Sequence, residues 1–584
     1  MLYLISAVIL IIALMIYPKS EKKHNILQWL PVVVIAYECW TCFLTGLMTI
    51  IHIDVNMYTV AICNIILSVF LIIRIFKCKI IQKYYIKIED IVFFAIYICV
   101  IWLVWINRYT TDLLIRFETS DPGTHLKFAM DFINNQAVNG MYLGQVTNGL
   151  FIEGLFKFFS GAYVYKTFII KYGINFFIAG LMFYAATIGY ADKFYKKFIV
   201  YAVTMIYILG YPYNDMIFGF VYLQMTITIV SYLLLVTYFY LEAEKNNYIY
   251  MILISLGCLG VGIGYTLFAP ITFIAILIVV IYKANKEKWL IGKRFLHKEF
   301  IKVGLEIFLI PSLFTIWFLI IQPLIEKDYI SYASSLNIEG YIYRNLYSDF
   351  LLFIVFSIYG IIVTLKNKKI NLNSILLILS TFFYVFFYIM MIDKKVSTYY
   401  FYKINYLLWL LILVSFTIGI LEMIDKEKKF VISYLVVILM LFTVRFTDFE
   451  QTYNAKNVNY IPFSDSESFF HIYTTNKVLN ERKSEVKIDL VNISNEVNKS
   501  YKDGRCVFVG NWLECFWYEA LTNQRFESGY VQKPVDKLME EFYYGQSGKY
   551  IVILKESEEY LNNQSLFEKL EKVYENDYAI IGIK

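Results

Sequence analysis

The chain has 584 residues, of which 59% are hydrophobic and 19% aromatic, and its mean hydropathy is +0.57. This balance excludes a soluble globular domain, because most of such a surface needs a solvent other than water. The formal charge of +6 comes from Lys and Arg clustered briefly between apolar runs, a pattern of membrane topology that argues against a nucleic-acid-binding face.

About 20 apolar residues cross a bilayer, and on that rule the chain is predicted to form about fourteen transmembrane helices. They fall near 2–17, 27–50, 57–76, 89–107, 164–189, 197–211, 220–240, 248–264, 266–282, 303–323, 347–365, 373–392, 404–421 and 430–447. The first run has no basic region before it and no small-residue cleavage site after it, so it reads as a retained helix. Basic clusters occupy every second loop, among them Lys19/Lys22/Lys23, Lys77/Lys79/Lys83/Lys87, Lys193/Lys196/Lys197, Lys283/Lys286/Lys288 and Lys426/Lys428/Lys429. The alternation puts those loops in the cytoplasm and both termini outside. Glu38 lies inside the second run, either as a functional ionisable group or paired with a polar partner between helices. Asp90 reads as a cap or interface residue at a cytoplasmic helix end.

Two stretches interrupt this pattern, and both are predicted to face outward. The first, 107–163, is too polar to span and is expected to form short amphipathic helices along the membrane surface. It carries Glu118, Asp121 and His125 within ETSDPGTH. Asp121 and His125 are four apart, so a helix beginning at Pro122 projects them near each other. Asp before Pro is equally a standard helix start, with Asp121 as its cap. Further along, Asp215 in YPYNDMIFGF is either a solvated turn residue or a second acidic group. In the second case it orients an acceptor or, with Glu118 and Asp121, holds a divalent cation. No complete ligand set is visible, so no metal is assigned and a divalent cation stays one option.

Outward cations are few: Arg344, then Lys394, Lys395 and Lys403 in DKKVSTYYFYKINY, with Arg108 and Arg116 near the acidic loop. The run around Tyr400 and Lys403 reads either as a headgroup site or as an aromatic belt with a snorkelling Lys. The second stretch, 448–584, is predicted to be a small extracytoplasmic α/β domain with a largely parallel sheet. Its strands are CVFVGN, YIVILK and YAIIGI; its helices are LECFWYEALTN, PVDKLMEEFYY and SLFEKLEKVYEN. Cys506 and Cys515 either pair as a disulfide or stand as two buried thiols.

An acidic loop ahead of an interfacial helix, on a chain of many spans with an outward C-terminal domain, resembles the GT-C superfamily of integral membrane glycosyltransferases. The resemblance covers most of the chain as layout and only a few residues as motif. It differs in having about four spans before the acidic loop, where many members have one. It implies an inverting transfer of one sugar from a polyprenyl-phosphate donor to a glycan or other cell-envelope acceptor, in contact with membrane lipids and without nucleic acid. Asp121 is then the matching acidic residue, with Glu118 and His125 beside it, and Arg344, Lys394, Lys395, Lys403, Tyr400 and Asp215 are the candidate substrate contacts. Two rivals stand beside it: a polysaccharide polymerase or ligase, and a flippase or transporter of lipid-linked saccharides.

Overall fold

A long apolar run becomes a helix because hydrocarbon leaves each backbone N–H and C=O to be satisfied within its own segment. In the computed structural model of the chain, nine helices among the described residues are long and apolar enough to cross a membrane. The protein is thus built as a multi-span helical membrane protein. The structure describes residues 2–17, 23–78, 81–117, 119–133, 142–155, 158–243, 248–287, 298–326, 336–340, 342, 348–366, 371–437, 485–501, 506–522, 534–544 and 549–583. Glu118, Arg344, much of the last predicted span and the segment after it lie outside these residues.

In chain order, the first half of the bundle holds α1 (Leu2–Ile16), α2 (Ile26–Ile50), α3 (Met57–Cys78) and α4 (Ile88–Tyr109). Between α1 and α2, β1 (His24–Asn25) pairs in parallel with β2 (Tyr84–Tyr85). A two-residue strand, β3 (Ile115–Arg116), then leads into α5 (Asp121–Ile133) and α6 (Tyr142–Leu155), so the polar interruption contains two short helices. The bundle resumes with α7 (Tyr165–Thr187), α8 (Phe194–Ile208), α9 (Tyr211–Phe218), α10 (Val221–Glu242), α11 (Tyr248–Ile263), α12 (Ala269–Lys286) and α13 (Lys298–Ile316). It continues through α14 (Ser348–Lys366), α15 (Leu372–Ile392) and α16 (Thr398–Met423), whose hydrophobic residues below the first turn are almost all buried.

Two charged residues inside the bundle are structural. Glu38 on α2 lies 2.5 Å from Lys171 on α7, whose ammonium also donates to Asn175 at 2.7 Å. Asp90, in the first turn of α4, is fully buried and accepts hydrogen bonds from Asn25, Tyr184 and Tyr201, each at 2.9 Å.

One predicted span keeps its length but is displaced towards the N-terminus. The run 197–211 yields α8, which stops at Ile208, and at 1.5 Å per residue its 15 residues reach only about 22 Å. The break has a local cause: a Cβ on Gly210 would lie 2.7 Å from the Trp409 ring, so only glycine lets α16 approach there. Pro212 then starts α9 from its first turn.

The last described part begins with β4 (Glu485–Val486) and α17 (Ile488–Ser500). It continues with β5 (Cys506–Val509), α18 (Trp512–Thr522), α19 (Val535–Tyr544), β6 (Tyr550–Leu554), β7 (Glu571–Glu575) and β8 (Ala579–Ile583). The sheet runs β5-β6-β8-β7, with β5–β6 parallel and both other pairs antiparallel, which corrects the largely parallel sheet expected. The reason is a tight turn, in which Asn576 Oδ1 accepts from the N–H groups of Tyr578 and Ala579 and joins β7 to β8 as a hairpin. The stretch SLFEKLEKVYEN is likewise corrected: it is helical only over Gln564–Phe567 and then becomes β7. Cys506 and Cys515 are not joined as a disulfide; the first is buried and the second half-buried.

Candidate functional site

α5 is positioned by its neighbours on both sides. Thr119 Oγ donates to the Phe218 carbonyl at 2.6 Å, tying the loop before α5 to the end of α9. Gly219 closes α9 in the left-handed region at φ +76, and a Cβ there would meet Pro122 Cγ at 2.0 Å. The first turn of α5 can therefore seat against this corner only because residue 219 is glycine. The Gly219 carbonyl accepts from the Tyr172 hydroxyl at 2.8 Å and lies 3.0 Å from His125 Nδ1. A carbonyl can only accept, so Nδ1 carries the proton. The His125 ring stands edge-on to Tyr222 at 4.5 Å, and burial pushes its imidazole down to about 4. His125 thus acts as a neutral residue that positions α5.

The C-terminal part covers the other face of α5. Phe117 stacks on Trp517, Lys127 pairs with Glu519 at 3.1 Å, and β3 pairs antiparallel with β4. A Cβ on Gly123 would lie 3.3 Å from the Phe516 backbone, so α18 packs closely against the first turn of α5. Arg108 is fully buried and donates from Nε to the Arg116 carbonyl at 2.5 Å, bracing the same loop.

The third contributor is the start of α16. Ser397 Oγ caps the helix, and the Glu339 carboxylate accepts from the Thr398 N–H and hydroxyl, each at 2.8 Å. An acidic group at a helix N-terminus is favourably placed, and here it fixes the first turn of α16. From that turn the Tyr399 hydroxyl donates to Asp121 Oδ2 at 3.1 Å and accepts from Lys403 Nζ at 2.6 Å. Four rings surround the buried Lys403 ammonium, with centroids at 3.9 Å (Tyr399), 4.5 Å (Phe220), 5.4 Å (Tyr265) and 5.5 Å (Tyr400). Aromatic faces stabilise a desolvated cation, so the positive charge is held in place beside Asp121.

Asp215 completes the cluster. It is 2% exposed, which corrects the reading of a solvated turn residue. Burial holds its carboxyl well above the usual carboxylate range, and the Lys403 charge offsets this only in part. The adjacent Asn214 accepts from the Tyr406 hydroxyl on α16, joining α9 to the same helix.

Of the residues singled out from the sequence, the structure brings together Asp121, His125, Asp215, Tyr400 and Lys403. Lys394 and Lys395 stay outside, exposed in the turn after α15, with Lys395 3.8 Å from Asp393. Tyr399, Glu339 and Tyr265 are additional. Tyr399 was legible in principle, because Tyr and Lys four apart on one helix are neighbours. No group of three His, Cys, Asp or Glu that could hold a metal ion occurs among the described residues. Asp121 and Asp215 both act electrostatically on the Lys403 ammonium. An apolar cavity of about 420 Å³ lined by Ile9, Ile12, Ile72 and Phe76 lies between α1 and α3, at the opposite end of the bundle. No family model and no curated protein sequence matches the chain, so a functional reading rests on this geometry.

Proposed function

We propose that the protein is an inverting glycosyltransferase that moves one sugar from a polyprenyl-phosphate donor to a hydroxyl of an extracytoplasmic glycan or other cell-envelope acceptor. The observation that carries the reading is the Asp121–Tyr399–Lys403 chain, a carboxylate and a buried ammonium joined through one phenol at the end of the bundle. A sugar hydroxyl is a poor nucleophile, so a carboxylate must take its proton as the new bond forms. Asp121 is that base. The acceptor oxygen bonds to the anomeric carbon, and the bond from that carbon to the phosphate oxygen breaks on the opposite face, inverting the centre. The lipid phosphate leaves with the electron pair, and Lys403, backed by Tyr399, stabilises the charge that develops on it.

In this reading the chain crosses the membrane about fourteen times, with both termini and the C-terminal α/β domain outside. That domain covers α5 and shields the reacting groups from water, which strengthens their electrostatics. The test is transfer of radiolabelled sugar by the purified protein from a panel of polyprenyl-phosphate monosaccharides. Wild type is expected to release lipid phosphate, and Asp121→Asn to lose transfer by roughly 10²–10⁴-fold while remaining folded. No turnover with any donor from a folded sample would overturn the reading in favour of a polymerase using glycan diphosphates or a flippase.

A further inference from the structure

Asp215 is a buried carboxyl whose Oδ1 has no hydrogen-bond partner among the described residues. The hydroxyl of Tyr265, 6% exposed at the corner between α11 and α12, is in the same state. Asn214 spends its carbonyl oxygen on Tyr406 and leaves its Nδ2 unspent. Buried polar groups are nearly always satisfied, so several unspent groups in one place point to something that satisfies them. The place is specific: Asp215 and Tyr265 act on each other electrostatically, and Tyr265 also feels Asp121 and lies over Lys403.

The chemistry of these groups narrows what they would take. Lys403 directs its ammonium to Tyr399 and to ring faces. Burial favours the protonated form of Asp215, and a protonated carboxyl can donate as well as accept, as a phenol does. A phosphate or carboxylate offers only acceptors and would leave the acceptor capacity of both groups unused. A hydroxyl both donates and accepts, and the rings of Phe220 and Tyr265 supply apolar faces beside it.

We infer that Asp215 and Tyr265 form a subsite that binds one ring hydroxyl of a neutral sugar next to Asp121, and so determine which sugar reacts. The inference rests on the transferase reading and adds the substrate class. Either the donor sugar or the acceptor sugar can supply the hydroxyl. Kinetics of Asp215→Asn and Tyr265→Phe with two series of deoxy-sugars, one on the donor and one on the acceptor, would tell the two apart.

Each variant is expected to lower kcat/KM roughly ten-fold on the fully hydroxylated substrates, because a buried group is left unpaired. With the one deoxy-sugar that lacks the recognised hydroxyl, wild type should fall by a similar factor and the variants should fall no further. The series that contains this compound identifies the source. Thermal unfolding of each variant, with Asp215→Asn keeping the shape of the side chain, separates lost recognition from lost structure. A loss of equal size across every deoxy-sugar, or no loss at all, would overturn the subsite while leaving the transferase intact. No turnover in wild type would remove the transferase reading itself, and the subsite with it.

Discussion

The Tyr399 hydroxyl lies between Asp121 Oδ2 at 3.1 Å and Lys403 Nζ at 2.6 Å, although Tyr399 and Asp121 are 278 residues apart. The carboxylate and the ammonium are therefore set relative to each other by one phenol. Tyr399→Phe keeps the ring that packs on Lys403 and removes only the link. It is expected to lower kcat by roughly ten- to a hundred-fold with little change in thermal stability, read from single-turnover transfer.

Lys403→Arg is expected not to restore activity. The ammonium fits among four rings, and a planar guanidinium needs a different geometry at such a site. Lys403→Arg and Lys403→Met should both lose transfer, by about a hundred-fold or more. Full activity in the arginine variant would show that charge alone matters at this position.

Gly219→Ala probes the corner that seats α5. The left-handed backbone and the 2.0 Å approach to Pro122 both oppose a side chain. The expected cost is roughly 2–5 kcal/mol, read as a lowered melting temperature in detergent. Residual transfer at low temperature should fall too, because α5 carries Asp121.

His125 links stability to pH. Its imidazole is held near 4 when folded and returns to 6.5 when exposed, so between these values the unfolded chain binds the extra proton. Its contribution is complete above about pH 6.5 and is lost as pH falls towards 4, by up to about 3 kcal/mol. Asp121 and Lys403 both act on the ring, the first favouring and the second opposing its charged form. Thermal unfolding between pH 4 and 7 should show the slope in wild type and a shallower one in His125→Asn.

The pair Glu38–Lys171 gives a test inside the bundle. Breaking it with Glu38→Gln leaves a buried ammonium without its counter-ion and should destabilise by roughly 3–5 kcal/mol. Replacing both residues with Met should recover most of that loss, while transfer at permissive temperature stays intact in the double variant.

The helices were legible because hydrocarbon demands long apolar runs, and α2, α4, α10 and α15 lie within a few residues of their predicted positions. α8 also lies within a few residues of its run, and only the residue at which it stops was not legible, because it depends on Trp409, about two hundred positions away, which packing brings to Gly210. The strand β7 was missed because most of its side chains are exposed and EKVYE fits an amphipathic helix equally well. Within the site, Asp121 was legible as an acidic residue at a helix start in the outward loop, and Lys403 as a cation at the start of a predicted span. The burial of Asp215 was not legible, since a polar residue between two apolar runs looks the same whether the short helix carrying it faces solvent or folds inward.

The pairing of β3 with β4 also sets an order of events during synthesis. Ile115 and Arg116 emerge early from the ribosome, and their partners Glu485 and Val486 only near the end of the chain. For most of translation the loop that carries Asp121 has its bundle contacts but lacks the strand and helix that later cover it. A nascent or truncated chain ending after α16 would therefore be an inserted bundle with an open site, and maturation would be completed by the docking of the final segment.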